Sequence, residues 1–368
     1  MRVFLDPEIF FLQYRGGIST YFSRLVAEFI ADPSRGVSVE GLPRFAKAES
    51  LIAAGLSRAT PHRALSRTPI LTLLDSPNAL THRWNADIVH STYYERPHLR
   101  RRGEQRLAVT VHDMTPEFYP EHFASGNPHR HKLSHIREAD LIFCVSETTC
   151  NDLYELAPGT RGKVVHTPLG TGWPFTGDAV SLEPSAHTMV GYPYVLFVGS
   201  RSPYKAFDVL VEALGHVRRR GEDIGLVVVG GTSLTSVEKR MLSSSAIPEE
   251  RFARLTPDDT GLAALYRAAL LFSYPSDYEG FGLPLIDALA SGCIAVTSDA
   301  PALVEVGGGV AIVHPRRDPE ALAAAIREVV TAPTCLTELR REEGREHASR
   351  YTWARTAQLT AEGYRLVL

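Results

Sequence analysis

The amino-acid sequence predicts an α/β fold with two successive domains, each built around a parallel sheet. Short apolar runs alternate with amphipathic helical patterns along the whole chain, which is the pattern of βαβ units. The 368 residues exceed the size of an ordinary single domain, so two domains are expected. A stretch rich in proline, glycine and polar residues, from Pro168 to about Pro193, separates the two alternations and is the predicted linker.

The first domain is predicted at residues 1–170. Its main helix, Ile18–Ile30, has one apolar face, which comprises Tyr21, Phe22, Leu25, Val26 and Phe29. Four apolar runs predict the strands of its sheet: Arg2–Leu5, Ile88–His90, Leu107–Val111 and Leu141–Val145.

The second domain is predicted at residues 171–352, where the alternation starts again. Its predicted strands are Tyr194–Val198, Leu226–Val229, Leu270–Tyr274 and Ile294–Thr297. Its predicted helices are Asp208–Arg219, Gly261–Ala269, Leu285–Ala290 and Pro319–Val330. A last helix at Trp353–Leu368 is able to pack on either domain, including back on the first.

Polar and glycine-rich clusters follow the predicted strands of both domains. In open α/β sheets, ligands bind beyond the carboxyl ends of the strands. Because the clusters occur in both halves, we expect a ligand in a cleft between two facing sheets. The clusters are Gly16-Gly17, His112-Asp113, Gly199-Ser200-Arg201 with the nearby Lys205, Gly230-Gly231 and Glu279.

The segment from Glu279 to Asp287 is the most informative one. Pro284 is favoured in the first turn of a helix, because its missing N–H has no partner to lose there. Glu279 is therefore expected just before a helix and Asp287 within its first turns. Backbone N–H groups at a helix N-terminus favour an anion, and carboxylates beside an anion suit a sugar nucleotide. The loop residues expected at this N-terminus are Gly280, Phe281, Gly282 and Leu283.

Each cluster also has a purely structural interpretation. Gly16 and Gly17 fit an ordinary tight turn, or backbone N–H groups that face a diphosphate. Arg201 and Lys205 fit exposed charges, or the cations that neutralise the same diphosphate. His112 taken alone fits a hydrogen-bonded core histidine, and Asp287 taken alone fits an acid that the helix dipole favours.

Several function classes lack their motifs. The net charge of −3 argues against a dedicated nucleic-acid binder. No Asp-x-Asp pair is present for a metal-bound diphosphate, and no Gly-x-Gly-x-x-Gly follows a strand, so neither a metal nor a nicotinamide cofactor is expected. No signal-type N-terminus or run of ~20 apolar residues occurs. We expect a cytoplasmic protein whose cysteines are reduced: Cys144, Cys150, Cys293 and Cys335.

Two further clusters carry weaker signals. His129, His131 and His135 lie close in sequence, but a zinc site needs a convincing third ligand, which the spacing does not provide. A basic run fits either a solvated loop or a patch that contacts anionic lipid at the inner membrane surface, and it comprises Arg100, Arg101, Arg102 and Arg106.

Taken in order, the motifs resemble those of bacterial glycosyltransferases of family 4, which have the GT-B architecture of two facing Rossmann-like domains. Single motifs are moderately specific, whereas the ordered set spans nearly the whole chain. The matching segments are Gly-Gly-Ile-Ser-Thr-Tyr-Phe (16–22), Val-Thr-Val-His-Asp (109–113), Val-Ser-Glu (145–147), Phe-Val-Gly-Ser-Arg-Ser-Pro-Tyr-Lys (197–205), Leu-Tyr-Arg-Ala-Ala (265–269) and Tyr-Pro-Ser-Asp-Tyr-Glu-Gly-Phe-Gly-Leu-Pro (274–284).

This resemblance implies a role for each matching position. His112 would contact the donor sugar near the reacting carbon, and Glu279 would orient the sugar hydroxyls. Arg201 and Lys205 would hold the diphosphate and stabilise it as it leaves. Donor contacts are implied for Gly16, Gly17, Gly199, Ser200 and the loop 280–283, and a ribose contact for Asp287.

The chain departs from the family pattern at two positions. Asp287 stands where the family usually has glutamate, so its ribose contact is the least secure part of the predicted site. Ala206 stands where asparagine or glycine is common. The resemblance also implies retention at the anomeric carbon by same-face substitution, without a metal ion.

For the donor, the resemblance favours GDP-mannose, with another GDP- or dTDP-deoxyhexose as the next choice. For the acceptor, it suggests a saccharide or lipid-linked saccharide in cell-surface polysaccharide synthesis. Two alternatives remain open: a sugar-nucleotide epimerase of the same architecture, and a sugar-nucleotide-binding subunit without catalysis.

Overall fold

A computed structural model of the protein describes residues 1–59, 85–94, 101, 103–123, 126–177 and 190–368. The described chain forms two compact units. Unit 1 comprises Met1–Leu169 and Trp353–Leu368, and unit 2 comprises Gly170–Thr352. Leu169 is the last residue of the first pass through unit 1, and the sequence places this boundary at residue 170.

Unit 1 is built on a parallel sheet of six described strands, in the order β2-β1-β5-β6-β7-β8. Central strands of a parallel sheet are covered on both faces, which explains why β5, β7 and most of β6 are continuously buried. The strands are β1 (Arg2–Leu5), β2 (Ser38–Glu40), β5 (Ile88–Ser91), β6 (Arg106–Val111), β7 (Leu141–Cys144) and β8 (Val164–His166), and a separate short ladder joins β3 (Phe45–Ala46) to β4 (Arg58–Ala59).

The helices of unit 1 connect and cover these strands. The longest, α2, is amphipathic, and its buried side chains include Tyr21, Phe22, Leu25, Val26 and Phe29, the predicted apolar face. The described helices are α1 (Glu8–Leu12), α2 (Gly17–Ala31), α3 (Glu49–Ala53), α4 (Thr115–Phe118), α5 (Lys132–Glu138) and α6 (Glu147–Leu156).

Unit 2 contains a second parallel sheet of six strands, in the order β11-β10-β9-β12-β13-β14. The order reverses at β9, so the loops after β9 and β12 flank a topological switch point, where open α/β sheets bind ligands. The strands are β9 (Tyr194–Val198), β10 (Gly225–Val229), β11 (Phe252–Leu255), β12 (Leu271–Tyr274), β13 (Ala295–Ser298) and β14 (Ile312–His314).

The helices of unit 2 begin at recognisable signals. Asp258 and Asp318 accept hydrogen bonds from backbone N–H groups at the starts of α9 and α12, and Thr235 with Glu238 forms a capping box on α8. The helices are α7 (Phe207–Arg219), α8 (Ser236–Ser244), α9 (Asp259–Ala268), α10 (Leu283–Ala290), α11 (Pro301–Gly307), α12 (Pro319–Thr331) and α13 (Thr334–Ala348). Helices α7 and α12 share one apolar core with strands β9 and β10.

The final helix, α14 (Trp353–Arg365), belongs to unit 1. The hydroxyl of Tyr364 lies 2.7 Å from Nδ1 of His90 in the central strand β5, and Thr356 donates to the carbonyl of Pro168 at 2.7 Å. The ring of Tyr364 also packs edge-on against Phe143 of β7. These buried contacts bring the end of the chain back to the first sheet.

The predicted α/β fold with two parallel sheets is confirmed, and the predicted strands and helices lie within about three residues of the observed ones. The boundary between the two units lies within the predicted linker stretch, and residues 170–177 belong to unit 2. Phe175 is buried there against Tyr266, and Arg267 donates to the carbonyls of Pro174 and Gly177. None of the described helices is long and apolar enough to cross a membrane.

We predict that Tyr364→Phe lowers the free energy of unfolding by about 1–3 kcal/mol, because Nδ1 of His90 is then left buried without its partner. Urea unfolding monitored by circular dichroism measures this change. Leu366→Ala is the control, since Leu366 is 75% exposed and its truncation should change stability by less than about 0.5 kcal/mol. Equal stability of Tyr364→Phe and the wild type would contradict a stabilising role for this hydrogen bond.

Candidate active site

Two loops of unit 2 flank the switch point of its sheet. The first follows β9, contains Gly199 and Ser200, and tightens into a 3₁₀ turn at Pro203–Lys205. The second follows β12 and leads through Glu279 into α10, which has Pro284 in its first turn as predicted. Gly282 lies in the second loop, directly before α10, and has a φ of +99°. A Cβ added to it would stand 2.8 Å from the side chain of Leu303. Only glycine fits at this entry to α10.

The two loops are joined by the side chains of Lys205 and Glu279. Nζ of Lys205 donates to Oε1 of Glu279 at 2.5 Å, and both side chains are at least 85% covered. The same ammonium lies 5.4 Å from the ring centre of Tyr274 and 5.2 Å from that of Tyr204. The structure thus brings together two of the four side chains that the sequence predicts to be catalytic.

Arg201 lies on the same loop as Lys205, but its guanidinium contacts a different segment. Its Nε donates to Glu238 at 2.6 Å, and its Nη atoms donate to the carbonyls of Gly230, Thr232 and Ser233. The side chain is 4% exposed. Gly231 makes room for it, since an added Cβ would stand 2.6 Å from Nη1. Arg201 therefore holds the Gly230-Gly231 loop, the other cluster predicted in this unit.

Three further predicted residues of unit 2 differ in exposure, since two are buried and one is exposed. Asp287 is 9% exposed, and its Oδ1 accepts a hydrogen bond from Thr171 at 2.6 Å. Phe281 is buried against Tyr351, so any ligand contact from this position must come from its backbone. Ser200 is exposed and its hydroxyl lies 3.1 Å from that of Ser202.

In unit 1, Gly16 and Gly17 begin helix α2. Gly16 is the N-cap residue, and its carbonyl accepts from the Ser19 hydroxyl at 3.0 Å. The side chain of Gln13 folds back and accepts the N–H of Ser19 at 3.1 Å. One N–H of this helix start is thus already bonded within the chain, while the space beside Gly17 is open.

His112 follows β6, and its ring packs edge-on against Tyr21 and Phe22. Its Nε2 is buried without a hydrogen-bond partner in the described chain. Burial lowers the pKa of His112 to about 3, although the neighbouring Asp113 carboxylate opposes this shift. The imidazole is therefore neutral at physiological pH.

A buried lysine beside His112 was not predicted from the sequence. Lys132 is fully buried, and its ammonium donates to Glu117 at 2.7 Å and to the carbonyl of Asp113 at 2.9 Å. Burial favours a raised pKa for Asp113, but the ammonium of Lys132 and the imidazole of His129 outweigh it and lower the pKa to about 2. These charges fix the loop that follows β6.

The weaker sequence clusters have structural partners. His129 packs edge-on against Tyr93 and Tyr94, and His131 precedes α5, which contains His135. Among the described residues, no three histidine, cysteine or acidic side chains are grouped to hold a metal ion. In the predicted basic run, Arg101 pairs with Asp140 and Arg106 begins β6, while Arg100 and Arg102 lie outside the described residues. The four cysteines are free thiols.

Comparison with known proteins gives a family match in the second half of the chain. Residues 184–349 match the family of glycosyl transferases group 1. The matched segment contains the Lys205–Glu279 pair, Arg201 and Asp287.

Curated relatives are glycosyltransferases. The chain is 31% identical over 254 residues to a D-inositol 3-phosphate glycosyltransferase of Salinispora arenicola, covering 62% of this chain and 55% of that protein. It is 25% identical over 299 residues to an O-antigen chain mannosyltransferase B of Escherichia coli, covering 76% and 74%. The chain thus spans about half the length of the first of these relatives.

Solved structures match the fold over almost the whole chain. A sucrose-phosphate synthase of Thermosynechococcus elongatus has a TM-score of 0.74 at 18% identity, covering 99% of this chain and 98% of that one. The lipopolysaccharide glycosyltransferase WaaG has a TM-score of 0.68 at 17% identity, covering 98% and 99%. At such identities the likeness shows the fold alone, which is that of GT-B glycosyltransferases.

Burial of His129 makes the stability of the protein sensitive to acid. Burial lowers the pKa of His129 to about 4, while Asp113 opposes the shift. Between pH 6.5 and 4 the unfolded chain binds a proton here and the folded chain does not, so stability falls as pH falls. A histidine whose pKa is lowered in this way changes the free energy of unfolding by at most about 1.4 kcal/mol per pH unit.

We predict that His129→Phe reduces this loss of stability between pH 7 and pH 5 by about 1–2 kcal/mol. The phenyl ring keeps the contacts with Tyr93 and Tyr94 but takes up no proton. Urea unfolding at both pH values measures the difference. Tyr93→Phe alters the packing and keeps the imidazole, so it should retain the wild-type pH dependence. An unchanged pH dependence in His129→Phe would rule out this contribution.

Proposed function

We propose that this protein is a glycosyltransferase that moves a hexose or deoxyhexose from a nucleotide diphosphate sugar to a saccharide or lipid-linked saccharide. The observation that carries the proposal is the Lys205–Glu279 pair at the switch point of unit 2, within the segment that matches glycosyl transferases group 1. A cation and a carboxylate side by side suit a ligand that carries a diphosphate next to sugar hydroxyls.

We propose a retaining reaction by same-face substitution. The bond between the anomeric carbon and the diphosphate oxygen breaks, the acceptor oxygen bonds to the same face of that carbon, and the acceptor proton goes to the departing phosphate. Lys205 stabilises the negative charge that develops on the phosphate, and Glu279 accepts hydrogen bonds from the sugar hydroxyls. His112, neutral because it is buried, offers Nε2 to the sugar. No metal ion is required, since side-chain cations supply the charge.

Arg201 acts in this scheme through the Gly230–Ser233 loop, whose carbonyls it binds. The guanidinium has five donors, and the chain already binds it through Glu238 and three carbonyls. We propose that Arg201 mainly shapes the loop whose backbone faces the diphosphate, and that Lys205 is the principal cation. Gly16 and Gly17 contribute N–H groups from unit 1, and Asp287 contacts the ribose beside Thr171.

For the donor we propose GDP-mannose and for the process cell-surface polysaccharide synthesis. Support comes from two mannosyltransferase relatives of Escherichia coli, the O-antigen chain mannosyltransferase B and the serotype-specific mannosyltransferase WbdA. A structurally similar protein of Anabaena, HepE, was solved with UDP and glucose, so a UDP-sugar donor is the alternative. We propose a cytoplasmic location with peripheral contact to the inner membrane face.

We predict that Lys205→Ala and Glu279→Ala each lower kcat by about 10²–10³-fold, as expected when a group that stabilises transition-state charge is removed. Transfer is measured with radiolabelled donor and purified protein, with and without EDTA, and EDTA should leave the wild-type rate unchanged. Lys239→Ala, at an exposed position on α8, is the matched control and should keep full activity. Near-normal turnover by either site variant contradicts the assignment.

We predict that GDP raises the thermal midpoint of unfolding more than UDP, dTDP or ADP, because a ligand that binds the folded state stabilises it according to its occupancy. The same samples, incubated with donor sugar nucleotide alone, separate transfer from epimerisation. A new sugar nucleotide formed without acceptor identifies an epimerase, and nucleotide binding without turnover identifies a binding subunit. A larger shift with another base would replace GDP-mannose as the donor.

A further inference from the structure

The loop between β14 and α12 carries an arginine that no sequence motif singled out. Arg317 has a φ of +57°, in the left-handed region that side chains other than glycine, asparagine and aspartate seldom adopt. A strained backbone in a defined structure persists only where surrounding contacts hold it. The contacts of the guanidinium show what holds this one.

Arg317 makes hydrogen bonds to three different segments of unit 2. Its Nε donates to Oδ2 of Asp277 at 2.7 Å, and Nη2 donates to the same oxygen. Nη2 also donates to the carbonyl of Pro203 at 2.7 Å. Nη1 lies 3.2 and 3.1 Å from the two carboxylate oxygens of Asp208. A planar guanidinium with several fixed donors suits such a junction, whereas a lysine ammonium does not.

These partners lie in the two loops that flank the switch point or in the helix that directly follows the first loop. Pro203 begins the 3₁₀ turn that ends at Lys205, and Asp208 lies in the first turn of the following helix α7. Asp277 precedes Glu279 by two residues on the other loop. A backbone bond joins the same loops directly, since the N–H of Asp277 donates to the carbonyl of Tyr204 at 2.7 Å.

The two ion pairs of Arg317 differ in weight. The side chain of Asp277 is 14% exposed, while that of Asp208 is 51% exposed, so solvent screens the second pair much more. Arg316 supports the arrangement from the same loop, as its Nη1 donates to the carbonyl of Asp277 at 3.2 Å. The dominant connection therefore runs from Asp277 through Arg317 to Pro203.

We propose that Arg317 is a positioning residue that holds the loop of Lys205 in register with the loop of Glu279. This inference rests on the proposed glycosyltransferase function. Arg317 itself contacts neither Lys205 nor Glu279 but fixes the backbone on which each stands. Its effect on transfer thus comes through the relative position of the ammonium and the carboxylate.

The test compares Arg317→Ala, Arg317→Gly and Arg218→Ala in the full chain. Arg218 makes similar bonds, to Asp223 and to the carbonyls of Ala246 and Ile224, at the other end of α7. Displacing a reacting group by about 1 Å costs up to about 10²-fold in rate. We therefore expect kcat to fall about 10–100-fold in both Arg317 variants, with less than about threefold change in KM for the acceptor.

Stability separates positioning from a general loss of folding. Arg317→Gly relieves the left-handed strain, so its thermal midpoint should exceed that of Arg317→Ala while its kcat is equally low. Arg218→Ala should lose thermal stability and keep the wild-type kcat. A kcat that follows the thermal midpoint across the three variants would overturn the proposal.

Two further measurements connect the effect to Asp277. Asp277→Asn should lower kcat by about as much as Arg317→Ala, and the double variant should be no worse than either, because residues that act as one unit are not additive. Asp208→Asn should change kcat by less than about threefold. Full additivity of Asp277→Asn and Arg317→Ala would overturn the link.

Amide hydrogen exchange followed by mass spectrometry tests the loops independently of transfer. In Arg317→Ala, peptides covering 201–208 and 275–282 should both exchange faster than in the wild type, and peptides of α13 should be unchanged. Unchanged exchange in both loops would overturn the proposal. If the wild type transfers no sugar while these loops loosen in Arg317→Ala, the proposed function fails and the structural connection through Arg317 stands.

Discussion

The ion pair between Lys205 and Glu279 is the interaction on which the candidate site depends. Both charges are largely covered, and burying a charge is costly unless it is paired. Replacing such a pair by apolar side chains is often neutral or stabilising, so stability alone does not explain it. The surrounding structure is built to tolerate it: the rings of Tyr204 and Tyr274 lie against the ammonium, and Arg317 joins the loops on either side.

Three arginines make hydrogen bonds to the loops that surround this pair. Arg201 binds the loop after β10, Arg317 connects the loops after β9 and β12, and the guanidinium of Arg316 connects the loop after β12 to Asp299, which directly follows β13. Loops that follow four neighbouring strands are thus connected by guanidinium groups. Arginine suits this because its planar donors reach several carbonyls and carboxylates at fixed angles.

The sequence predicted the central strands of both six-stranded sheets but not the edge strands β2, β8, β11 and β14. Central parallel strands are continuously apolar, whereas these edge strands are short and partly exposed, so they lack that signal. The positions of Lys205 and Glu279 followed from the rule that ligand loops lie at the carboxyl ends of strands. Their partners did not, because Arg317 lies 114 residues from Pro203 and Thr171 lies 116 residues from Asp287. Local spacing contains no information on such pairs, and a double arginine before a helix start looks like an exposed turn.

The titratable side chains at the candidate site have different surroundings in the two units. In unit 1, His90 and His112 are neutral because burial lowers each pKa to about 3, and the buried ammonium of Lys132 is already held by Glu117 and Asp113. His112 therefore offers a neutral hydrogen-bonding group. In unit 2, the ammonium of Lys205 donates to the carboxylate of Glu279, and that carboxylate is itself suited to sugar hydroxyls. A ligand whose hydroxyls engage Glu279 and whose phosphates engage Lys205 would use both members of the pair at once, so the ion pair orders the two groups that such a ligand needs.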